Sequence, residues 1–384
     1  MVEPKSKNSA NPAVVIDNGS SLCKAGLASA EIPTVVFPTI VGHSKSPLFT
    51  VGVGEETRDT FIGEEAKFRR HILRLKYPIE HGVITNWEDM EKIWRHCYLN
   101  ELGVSPKAHP CLLTEHPVNP KPCRERTTEI MFETFNVPSF YVGNRAVLSL
   151  YAVGKLTGFS VVVGDSVFHG VPVYEGYSLR HTISRCDLAG RYITDFFCLL
   201  INHECDVALY SSNEREMLKG IKEKFCFVAL DYDKARKEAE QSSIHNAVYE
   251  LPDGTTFTMG SQRFRAPEVL FQPNLVGLSC YGIHELILAT LMRCDTDLRK
   301  ELYQNICLSG GTAMIPGLPE RLHKELTNLA PATVKIKVDA AAEGKYSAWI
   351  GGSIFASLSS FQCMLIGRDE YEEYGPSIVN RKCF

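Results

Sequence analysis

The chain contains 384 residues, more than a single hydrophobic core usually holds, so we expect two or more lobes. Hydrophobic residues make up 44% and charged residues 22% of the sequence, a composition typical of globular proteins. The net charge of -4, without a basic block, argues against nucleic acid as the main partner. No apolar run reaches the ~20 residues of a membrane span, and the polar residues 1–11 argue against a secretory signal.

The thirteen cysteines are spread along the chain, and no two have the C-x-x-C spacing of a metal or redox motif. The sequence also lacks a cluster of cysteine and histidine ligands. We therefore interpret the cysteines as reduced thiols of a cytosolic protein, most of them small core residues.

Runs of β-branched residues alternate with amphipathic stretches, which indicates an α/β protein. The pattern predicts a first buried strand at 13–16 and a helix over 86–98. In that helix Asn86 is the expected N-cap, and Glu88 and Asp89 lie in the first turn. Four residues that recur at helical spacing are expected to face the core: Trp87, Met90, Trp94 and Cys97.

A second buried strand is predicted at 161–163, and a later helix has a core-facing stripe of Met217, Ile221, Phe225 and Val228. Each β-branched run precedes a glycine-containing turn and another apolar segment. This echo recurs after roughly 145 residues. It predicts two similarly built lobes that face a shared cleft.

Two segments rich in proline and glycine lie outside these periodic stretches. Residues 42–54 are short and polar, which is typical of an exposed loop. Residues 264–277 carry apolar side chains between prolines, without a helical or strand period. Such an apolar loop is either packed into the core or kept for a partner.

The turn after the first strand carries groups that suit a phosphate. Gly19 lets the backbone approach a ligand, and successive N–H groups can bind an anion. Ser20 and Ser21 add hydroxyl donors, and Lys24 adds a positive charge. Asp17 is placed to hold hydrated magnesium. A plain β-hairpin explains the same residues, so both interpretations stay open.

The turn after the second strand is less well equipped. It reads Gly164, Asp165 and Ser166, and the strand before it stays apolar through Val162 and Val163. Asp165 is therefore the carboxylate of this turn. The residues alone predict one good phosphate turn and one poor one.

At this point the sequence resembles a known family. The stretch VVIDNGSSLCKAGL (14–27) resembles the first phosphate loop of actins. The resemblance continues nearly from end to end, through LKYPIEHGVITNWEDMEKIW (75–94), FYVGNRAVLSLYAVG (140–154), VPVYEGYSL (171–179), IKEKFCFVALD (221–231), YELPDG (249–254), LSGGTAMIPG (308–317), KYSAWIGGSIFASLSSFQ (345–362) and GPSIVNRKCF (375–384).

This resemblance implies the actin fold, an α/β fold with two RNase H-like lobes around a nucleotide cleft. Each lobe is expected to carry a satellite subdomain. The implied boundaries are 1–38, 78–152 and 347–384 for subdomain 1, 39–77 for subdomain 2, 153–188 and 279–346 for subdomain 3, and 189–278 for subdomain 4.

The resemblance also implies ATP or ADP as the cofactor, with Mg²⁺ held near Asp17. Ser21 stands where actins usually have glycine, and Ile315 replaces an aromatic residue expected beside the base. The nucleotide-binding residues carried over by position are Gly19, Ser20, Ser21, Leu22, Lys24, Gly164, Asp165, Ser166, Gly190, Lys222, Glu223, Gly311, Thr312, Met314 and Lys345.

Two positions that actins use for hydrolysis differ in this chain. Arg145 replaces a glutamine that orients the attacking water, and Val162 replaces an aspartate that helps to hold the water shell of the metal. Ser166 and Phe168 replace a glycine and a threonine of the second turn. Losing a water-orienting group typically costs ~10²–10⁴ in rate. The resemblance therefore implies weakened Mg²⁺ binding and weak or no hydrolysis, without an intact catalytic residue.

Arg145 permits two arrangements. Its guanidinium can face the γ-phosphate region and hold a nucleotide with little dependence on metal. It can instead point at a neighbouring carboxylate, with an empty cleft. The sequence favours neither arrangement.

Actins contact one another and their regulators through an apolar groove, which we expect here for actin-like subunits or actin-binding proteins. The matching residues are Tyr151, Gly154, Tyr177, Phe355, Leu358 and Met364. A core position explains Leu358 fully, and Tyr151 and Tyr177 less well. Residues 42–54 match the loop that an actin inserts into its neighbour, and 264–277 match the plug between filament strands.

These features predict a divergent actin-like structural protein of the cytoplasmic cytoskeleton, which joins, caps or scaffolds filaments. Its cysteine-rich sequence, poor in hydrolytic residues, resembles the testis-type actin-related proteins. The alternative is an actin that polymerises with ATP turnover. A sugar kinase or chaperone ATPase fits poorly, because no sugar-phosphorylating aspartate motif is evident and the C-terminus is of the actin type.

Overall fold

The chain folds into two compact units. In this computed structural model the described residues are 11–45, 60–205, 207–251 and 254–383. The first unit comprises 1–68, 74–152 and 348–384, and the second comprises 69–73 and 153–347. The expected division into four subdomains is finer than these two units and stays a prediction.

The strands are short and distributed over both units. In chain order they are β1 (Val14–Asn18), β2 (Leu22–Leu27), β3 (Val35–Pro38), β4 (Val41–Ser44), β5 (Thr60–Ile62), β6 (Leu73–Lys76), β7 (Ile79–Glu80), β8 (Val83–Ile84), β9 (Cys111–Glu115), β10 (Ser139–Asn144), β11 (Gly158–Val163), β12 (Phe168–Tyr174), β13 (Tyr177–Ser178), β14 (Ser184–Cys186), β15 (Ala247–Glu250), β16 (Thr256–Met259), β17 (Ile306–Ser309), β18 (Val338–Ala340) and β19 (Ile366–Gly367).

The α-helices range from a single turn to about four turns. In chain order they are α1 (Gly63–Phe68), α2 (Trp87–His96), α3 (Lys121–Glu129), α4 (Arg145–Tyr151), α5 (Gly190–Glu204), α6 (Ser212–Phe225), α7 (Tyr232–Gln241), α8 (Gln262–Glu268), α9 (Ile283–Arg293), α10 (Thr296–Gln304), α11 (Leu318–Leu329), α12 (Ser347–Ala356), α13 (Phe361–Met364), α14 (Arg368–Tyr374) and α15 (Val379–Lys382). The mixed α/β class predicted from the sequence is confirmed.

The main sheet of the first unit has the described strands in the order β19-β10-β9-β1-β2-β3. Strand β1 pairs antiparallel with β2 and parallel with β9, and β9 pairs parallel with β10. All five residues of β1 are buried, as expected for the apolar run 14–16 at the centre of a sheet, and Asp17 and Asn18 are buried with it. The sheet therefore places the end of β1, with its polar residues, inside the protein.

The main sheet of the second unit has the order β13-β12-β11-β17-β18, with β14 also paired to β12. Strand β11 pairs antiparallel with β12 and parallel with β17. A hairpin flanked by a parallel strand thus occurs in both units. This shared arrangement is the structural counterpart of the echo in the sequence.

Helix α2 agrees with its prediction. The side-chain oxygen of Asn86 accepts a hydrogen bond from Asp89 N at 3.0 Å, so Asn86 is the N-cap. Glu88 and Asp89 lie in the first turn, where their negative charge suits the helix dipole. Met90 and Trp94 of the predicted stripe are buried on α2, and Trp87 packs half-buried against the same core. Cys97 is buried too, but it lies on the π-helical turn Cys97–Glu101 that follows α2.

The residues of the stripe predicted in the second unit are buried or partly buried, but the helix that carries them is shorter than predicted. Ile221 is buried, and Met217 and Phe225 pack partly buried against the same core. Helix α6 ends at Phe225, so Val228 is not on it. Val228 is held instead by a hydrogen bond from its backbone N to Pro316 O at 2.8 Å.

Residues 264–277 are not an aperiodic loop, contrary to the sequence prediction. Helix α8 covers the first part, and Pro273–Val276 form a 3₁₀ turn. Burial explains the helix, because Phe264 is fully buried and its neighbours pack into the core despite Pro267. Leu275 remains 37% exposed, so most but not all of the segment is packed inside.

The predicted exposed loop at 42–54 is described only in part. Residues 42–44 belong to β4 rather than to a loop, and 46–54 lie outside the described residues. All thirteen cysteines are free thiols, and more than half are buried. None of the described helices is long and apolar enough to span a membrane.

Candidate functional site

The first candidate turn closes the β1–β2 hairpin. Gly19 N donates hydrogen bonds to Leu22 O and to Asp17 O, both at 3.1 Å. The hydroxyl of Thr39 donates to Gly19 O at 2.8 Å. A Cβ atom on Gly19 would lie 2.4 Å from Leu22 O, closer than real Cβ contacts. The hairpin itself therefore requires glycine here, whatever ligand the turn binds.

The carboxylate of Asp17, at the start of this turn, accepts hydrogen bonds from three side chains. Asp17 is 1% exposed. Its Oδ2 accepts from Lys24 Nζ at 2.7 Å, and its Oδ1 accepts from Thr114 Oγ1 at 2.6 Å. Arg145 Nε donates to the same Oδ1 at 3.0 Å. Two cations and one hydroxyl thus surround one buried carboxylate.

These partners determine the ionisation of Asp17. Burial alone raises the pKa of its carboxyl group, but the charges of Arg145 and Lys24 lower it, as do hydrogen bonds from Lys24 and Thr114. The effect of the charges and hydrogen bonds exceeds that of burial, so the pKa of Asp17 lies well below its usual range. Asp17 is therefore ionised at neutral pH.

Arg145 is the first residue of α4, directly after the N-cap Asn144, whose side chain accepts from Ala146 N at 3.0 Å. The guanidinium is buried and also donates to Asn18 O at 2.6 Å and contacts His116 Nε2 at 3.0 Å. Of the two arrangements open in the sequence, the structure adopts the one in which Arg145 points at a carboxylate. The N–H donors of Arg145 therefore bind residues of the first unit.

Sequence reasoning missed two members of this network. Thr114 and His116 lie at and just after the end of β9, beside β1. They bind Asp17 and Arg145, respectively. The signal was present, because polar residues follow the apolar run of β9 at the carboxyl end of a parallel strand, where functional groups collect.

The residues present do not fit a magnesium ion against Asp17. Mg²⁺ requires oxygen ligands in octahedral geometry and keeps several waters. Here Lys24 and Arg145 already supply positive charge to both carboxylate oxygens. The metal role that the resemblance assigns to Asp17 has no support in this geometry and remains a prediction.

The second candidate turn closes the β11–β12 hairpin in the same way. Gly164 N donates to Val167 O at 3.1 Å, the same distance as in the first turn. Gly164 O accepts from Gly190 N at 3.2 Å and from Thr312 Oγ1 at 2.6 Å. The turn is thereby tied to the start of α5 and to the residues after β17.

The charged group of this turn is Asp165. Its carboxylate is 3.3 Å from Arg191 and 3.9 Å from Lys219. Val162, at the end of β11, is 5% exposed and apolar, and Ser166 is buried. As the sequence indicated, the strand end brings no carboxylate to this turn.

Lys222 also holds the start of α5. It is 4% exposed, and its amine donates to Gly190 O at 3.0 Å and to Thr194 Oγ1 at 2.9 Å. The pKa of the Lys222 amine is lowered, mainly because the amine is buried. Its position is therefore well defined, while its expected role at a purine or ribose remains a prediction. Its neighbour Glu223 is exposed.

The remaining predicted nucleotide residues lie after β17 and before α12. Gly310 N donates to Gly344 O at 2.9 Å, which brings the two segments together. Met314 is 44% exposed beside Gly344, and Lys345 is half-buried. Hydrogen bonds thus connect Gly164, Gly190, Lys222 and Thr312, and Met314 lies beside Gly344, the residue before Lys345. Ile315 does not share the exposure of Met314, because it is 7% exposed and packs into the core.

The predicted partner groove is corrected in detail. In the first unit Phe355 is 7% exposed, with its ring centroid 5.4 Å from that of Phe361 and 5.9 Å from that of Tyr151, so it is a core residue. Leu358 is 49% exposed, which argues against the alternative of a core position, and its role in a groove stays a prediction. Met364 is 40% exposed.

Sequence reasoning missed one exposed apolar residue near these positions in the chain, Ile354 of α12, which is 44% exposed. In the second unit Gly154 is exposed, and Tyr177 is 61% exposed. Leu156 of the second unit is also exposed, by 62%. Each unit therefore presents apolar side chains to solvent near the predicted positions.

Comparison with protein families gives one match over nearly the whole chain. A family model described as Actin matches residues 8–384. The match covers both candidate turns and all the predicted site residues. It also explains why the resemblance in the sequence runs collinearly from the first strand to the last helix.

Proposed function

Since this chain belongs to the actin family, we propose that it is a cytoskeletal actin-like protein that acts structurally and hydrolyses ATP weakly or not at all. The family generally binds ATP or ADP with Mg²⁺. We further propose that this chain joins, caps or scaffolds filaments in the cytoplasm and that this role does not depend on a hydrolytic cycle.

The observation that carries the proposal is the position of Arg145. Its guanidinium and the amine of Lys24 both pair with Asp17. A neutral amide that orients water is thereby replaced by a cation that is fixed to a buried carboxylate. An arginine in this position has neither a lone pair to accept a proton from water nor a free geometry to position it.

Val162 supports the same conclusion from the second unit. A buried valine cannot bind the hydration shell of a metal ion, because it offers no hydrogen-bonding atom. Together the two positions lack the water-orienting and metal-organising groups that hydrolysis in this family uses. Each loss is expected to slow the reaction, although the two effects do not add independently.

We propose that nucleotide binding survives, with a reduced requirement for Mg²⁺. Hydrogen bonds of 3.2 and 2.6 Å from Gly190 N and Thr312 Oγ1 to Gly164 O hold these residues of the second unit together, which supports nucleotide binding on that side. Lys24 and Arg145 supply positive charge next to the first turn without a metal ion. Both cations already donate to Asp17, but together they outnumber this one carboxylate and leave a net positive charge beside the first turn. A phosphate group is therefore expected to be attracted to this turn and to bind its backbone N–H groups even when magnesium is absent.

The proposed partners are actin or other actin-like subunits, and actin-binding proteins that recognise apolar surface. Ile354, Leu358 and Met364 expose apolar side chains on the first unit, and Tyr177 does so on the second. Clustered exposed apolar residues favour protein contacts over solvent. The alternative function is that of an actin that polymerises with ATP turnover. The same apolar surfaces would serve as its contacts in a filament.

Co-sedimentation of the purified full chain tests this proposal. The chain is centrifuged alone and with conventional actin, and the nucleotide in the pellet is then identified. We expect the chain to sediment with actin filaments and to carry unhydrolysed ATP or exchanged nucleotide in amounts that change little when EDTA is added.

A variant with two substitutions, Leu358→Asp and Met364→Asp, is the matched control, because it changes only exposed apolar residues. It is expected to stay in the supernatant with its nucleotide still bound. Absence of wild-type chain from the actin pellet would rule out the filament role, and a chain without nucleotide under all conditions would rule out the binding role.

A further inference from the structure

A small pocket lies in the first unit, between the main sheet, α3 and the hairpin of β7 and β8. Its volume is about 20 Å³. One water needs about 10–15 Å³, so the pocket holds a single water and is too small for a larger ligand. The polar part of its wall includes Asn18, Glu115, Asn119 and Arg124. A wall with polar groups suits water, whereas purely apolar cavities stay dry.

Strand pairing brings Asn18 and Glu115 to the same face of the main sheet. The parallel register of β1 and β9, continued to the ends of both strands, places Asn18 opposite Glu115. Side chains alternate along a strand, so both residues lie on the face opposite to Asp17 and Thr114. The 2.6 Å hydrogen bond from Thr114 Oγ1 to Asp17 Oδ1 agrees with this register. Asn18 and Glu115 thus meet at the pocket, on the side of the sheet away from the ion pairs of Asp17.

The side-chain amide of Asn18 has a fixed orientation and an unsatisfied donor. Asn18 is 6% exposed. Trp94 Nε1, which can only donate, donates to Asn18 Oδ1 at 3.0 Å, so the oxygen end of the amide faces Trp94. The buried Nδ2 at the other end has no hydrogen-bond partner among the residues that the structure describes. Ordered water commonly satisfies such buried groups in native proteins.

Glu115 offers the acceptor that the Asn18 amide needs. Its side chain is 11% exposed, and its Oε2 accepts from Asn119 Nδ2 at 3.0 Å and from Arg124 Nε at 3.1 Å. An ionised carboxylate has about four acceptor positions, more than one donor from each of these residues fills. A water between Asn18 and Glu115 therefore has a donor on one side and an acceptor on the other.

We propose that the pocket binds one ordered water, which accepts a hydrogen bond from Asn18 Nδ2 and donates one to the carboxylate of Glu115. The water completes the contacts of Asn18, whose backbone oxygen accepts from Arg145 at 2.6 Å. Glu115 in turn holds Arg124, which donates to Cys383 O at 2.8 Å. The water thereby connects the residue before the first turn with the C-terminal segment of the chain.

A high-resolution crystal structure of the full chain tests this site directly. We expect electron density for a water at about 2.7–3.2 Å from both Asn18 Nδ2 and a carboxylate oxygen of Glu115. The variant Asn18→Leu keeps a side chain of similar size but has no donor, so it is expected to lose this water. The inference is overturned if wild type lacks the density, if its Asn18 Nδ2 bonds directly to a protein acceptor, or if the density persists in Asn18→Leu.

Nuclear magnetic resonance of the wild-type chain gives a second measurement, which stands even if Asn18→Leu fails to fold. With asparagine labelled by ¹⁵N, the Nδ2 protons of Asn18 are expected to show a nuclear Overhauser effect from a long-lived water. Their resonance is identified by its loss in Asn18→Asp, which keeps an oxygen for Trp94. Asn380 is the matched control, because its Nδ2 donates to Glu125 Oε1 at 2.6 Å. An effect at Asn18 no stronger than at Asn380 would also overturn the inference.

Discussion

Asp17 is the counter-ion of two buried cations, and its removal tests that role. Lys24 and Arg145 have side chains that are 12% and 10% exposed, so solvent screens neither charge well. Breaking a buried ion pair by removing one partner costs about 3–5 kcal/mol. We therefore expect Asp17→Asn to lower the free energy of unfolding at pH 7 by about 3 kcal/mol, measured by urea titration.

Asp195→Asn is the matched control for this variant. Asp195 forms an ion pair with Arg215, but its side chain is 53% exposed. Exposed pairs contribute about 0–1 kcal/mol, so the control is expected to lose less than that. Equal losses in the two variants would mean that burial does not distinguish the pairs.

The pH dependence of this stabilisation follows from the direction in which the pKa of Asp17 is shifted. The folded-state pKa of Asp17 lies below its ordinary value of 3.8. The stabilisation is therefore complete above that ordinary value and is lost as the pH falls towards the folded-state pKa. The difference in unfolding free energy between wild type and Asp17→Asn should stay constant from pH 7 to pH 5 and shrink below pH ~4. A difference that grows on acidification would contradict the assignment.

Single residues also mark the limit of sequence reasoning. The position of Asp17 and the substitution at Arg145 were evident in the sequence, but the direction of the guanidinium was not. The guanidinium donates to Asp17 and Asn18. Thr114 and His116 contribute to the same network and reach the site through the pairing of β9 with β1. A strand pairing between distant segments is not visible in local sequence, so two arrangements had to stay open.

At the scale of elements, the β1–β2 turn and the β11–β12 turn can be compared within one molecule. Their closing hydrogen bonds are equal in length, yet their glycines are not equivalent. A Cβ on Gly19 would meet Leu22 O at 2.4 Å, whereas a Cβ on Gly164 would meet Val167 O at 3.5 Å, an ordinary contact. The first turn is therefore expected to be far less tolerant of substitution than the second.

Alanine substitution measures this difference. We expect Gly19→Ala to lower the free energy of unfolding by about 2 kcal/mol or more, because the turn must open to relieve the overlap. Gly164→Ala is expected to change it by less than about 1 kcal/mol. Urea titration of both variants decides the matter, and a greater loss for Gly164→Ala would refute the account of the turns.

The elements that sequence patterns predicted best were those with local signals. Helix α2 has an N-cap, acidic residues in its first turn and a regular apolar stripe, and it forms as predicted. Helix α8 was missed, since Pro267 and the absence of a clear period argued against a helix. Its stability comes from the burial of Phe264 and neighbouring apolar residues, which is a tertiary effect that no local pattern records.

At the scale of the whole molecule, the chain consists of two units with the same hairpin arrangement. The three tryptophans, Trp87, Trp94 and Trp349, all belong to the first unit, and the last two are fully buried. Tryptophan fluorescence therefore reports unfolding of the first unit, while circular dichroism reports helices of both. The repetition was visible in the sequence, because each unit begins with a similar strand and turn.

This distribution makes the independence of the units measurable. Chains with several cores commonly depart from two-state unfolding. We expect the urea midpoint from tryptophan emission to differ from the midpoint from circular dichroism at 222 nm. Coincident curves from both probes would show that the two units unfold as one cooperative body.

The most direct test of the central claim is phosphate release from the purified full chain loaded with ATP and Mg²⁺. The account predicts release at least about 100-fold slower than from conventional actin filaments in the same assay, since the water-orienting and metal-organising groups are replaced. The double variant Arg145→Gln, Val162→Asp restores both groups and is expected to release phosphate faster than wild type. Release from wild type at the rate of conventional actin would contradict the account.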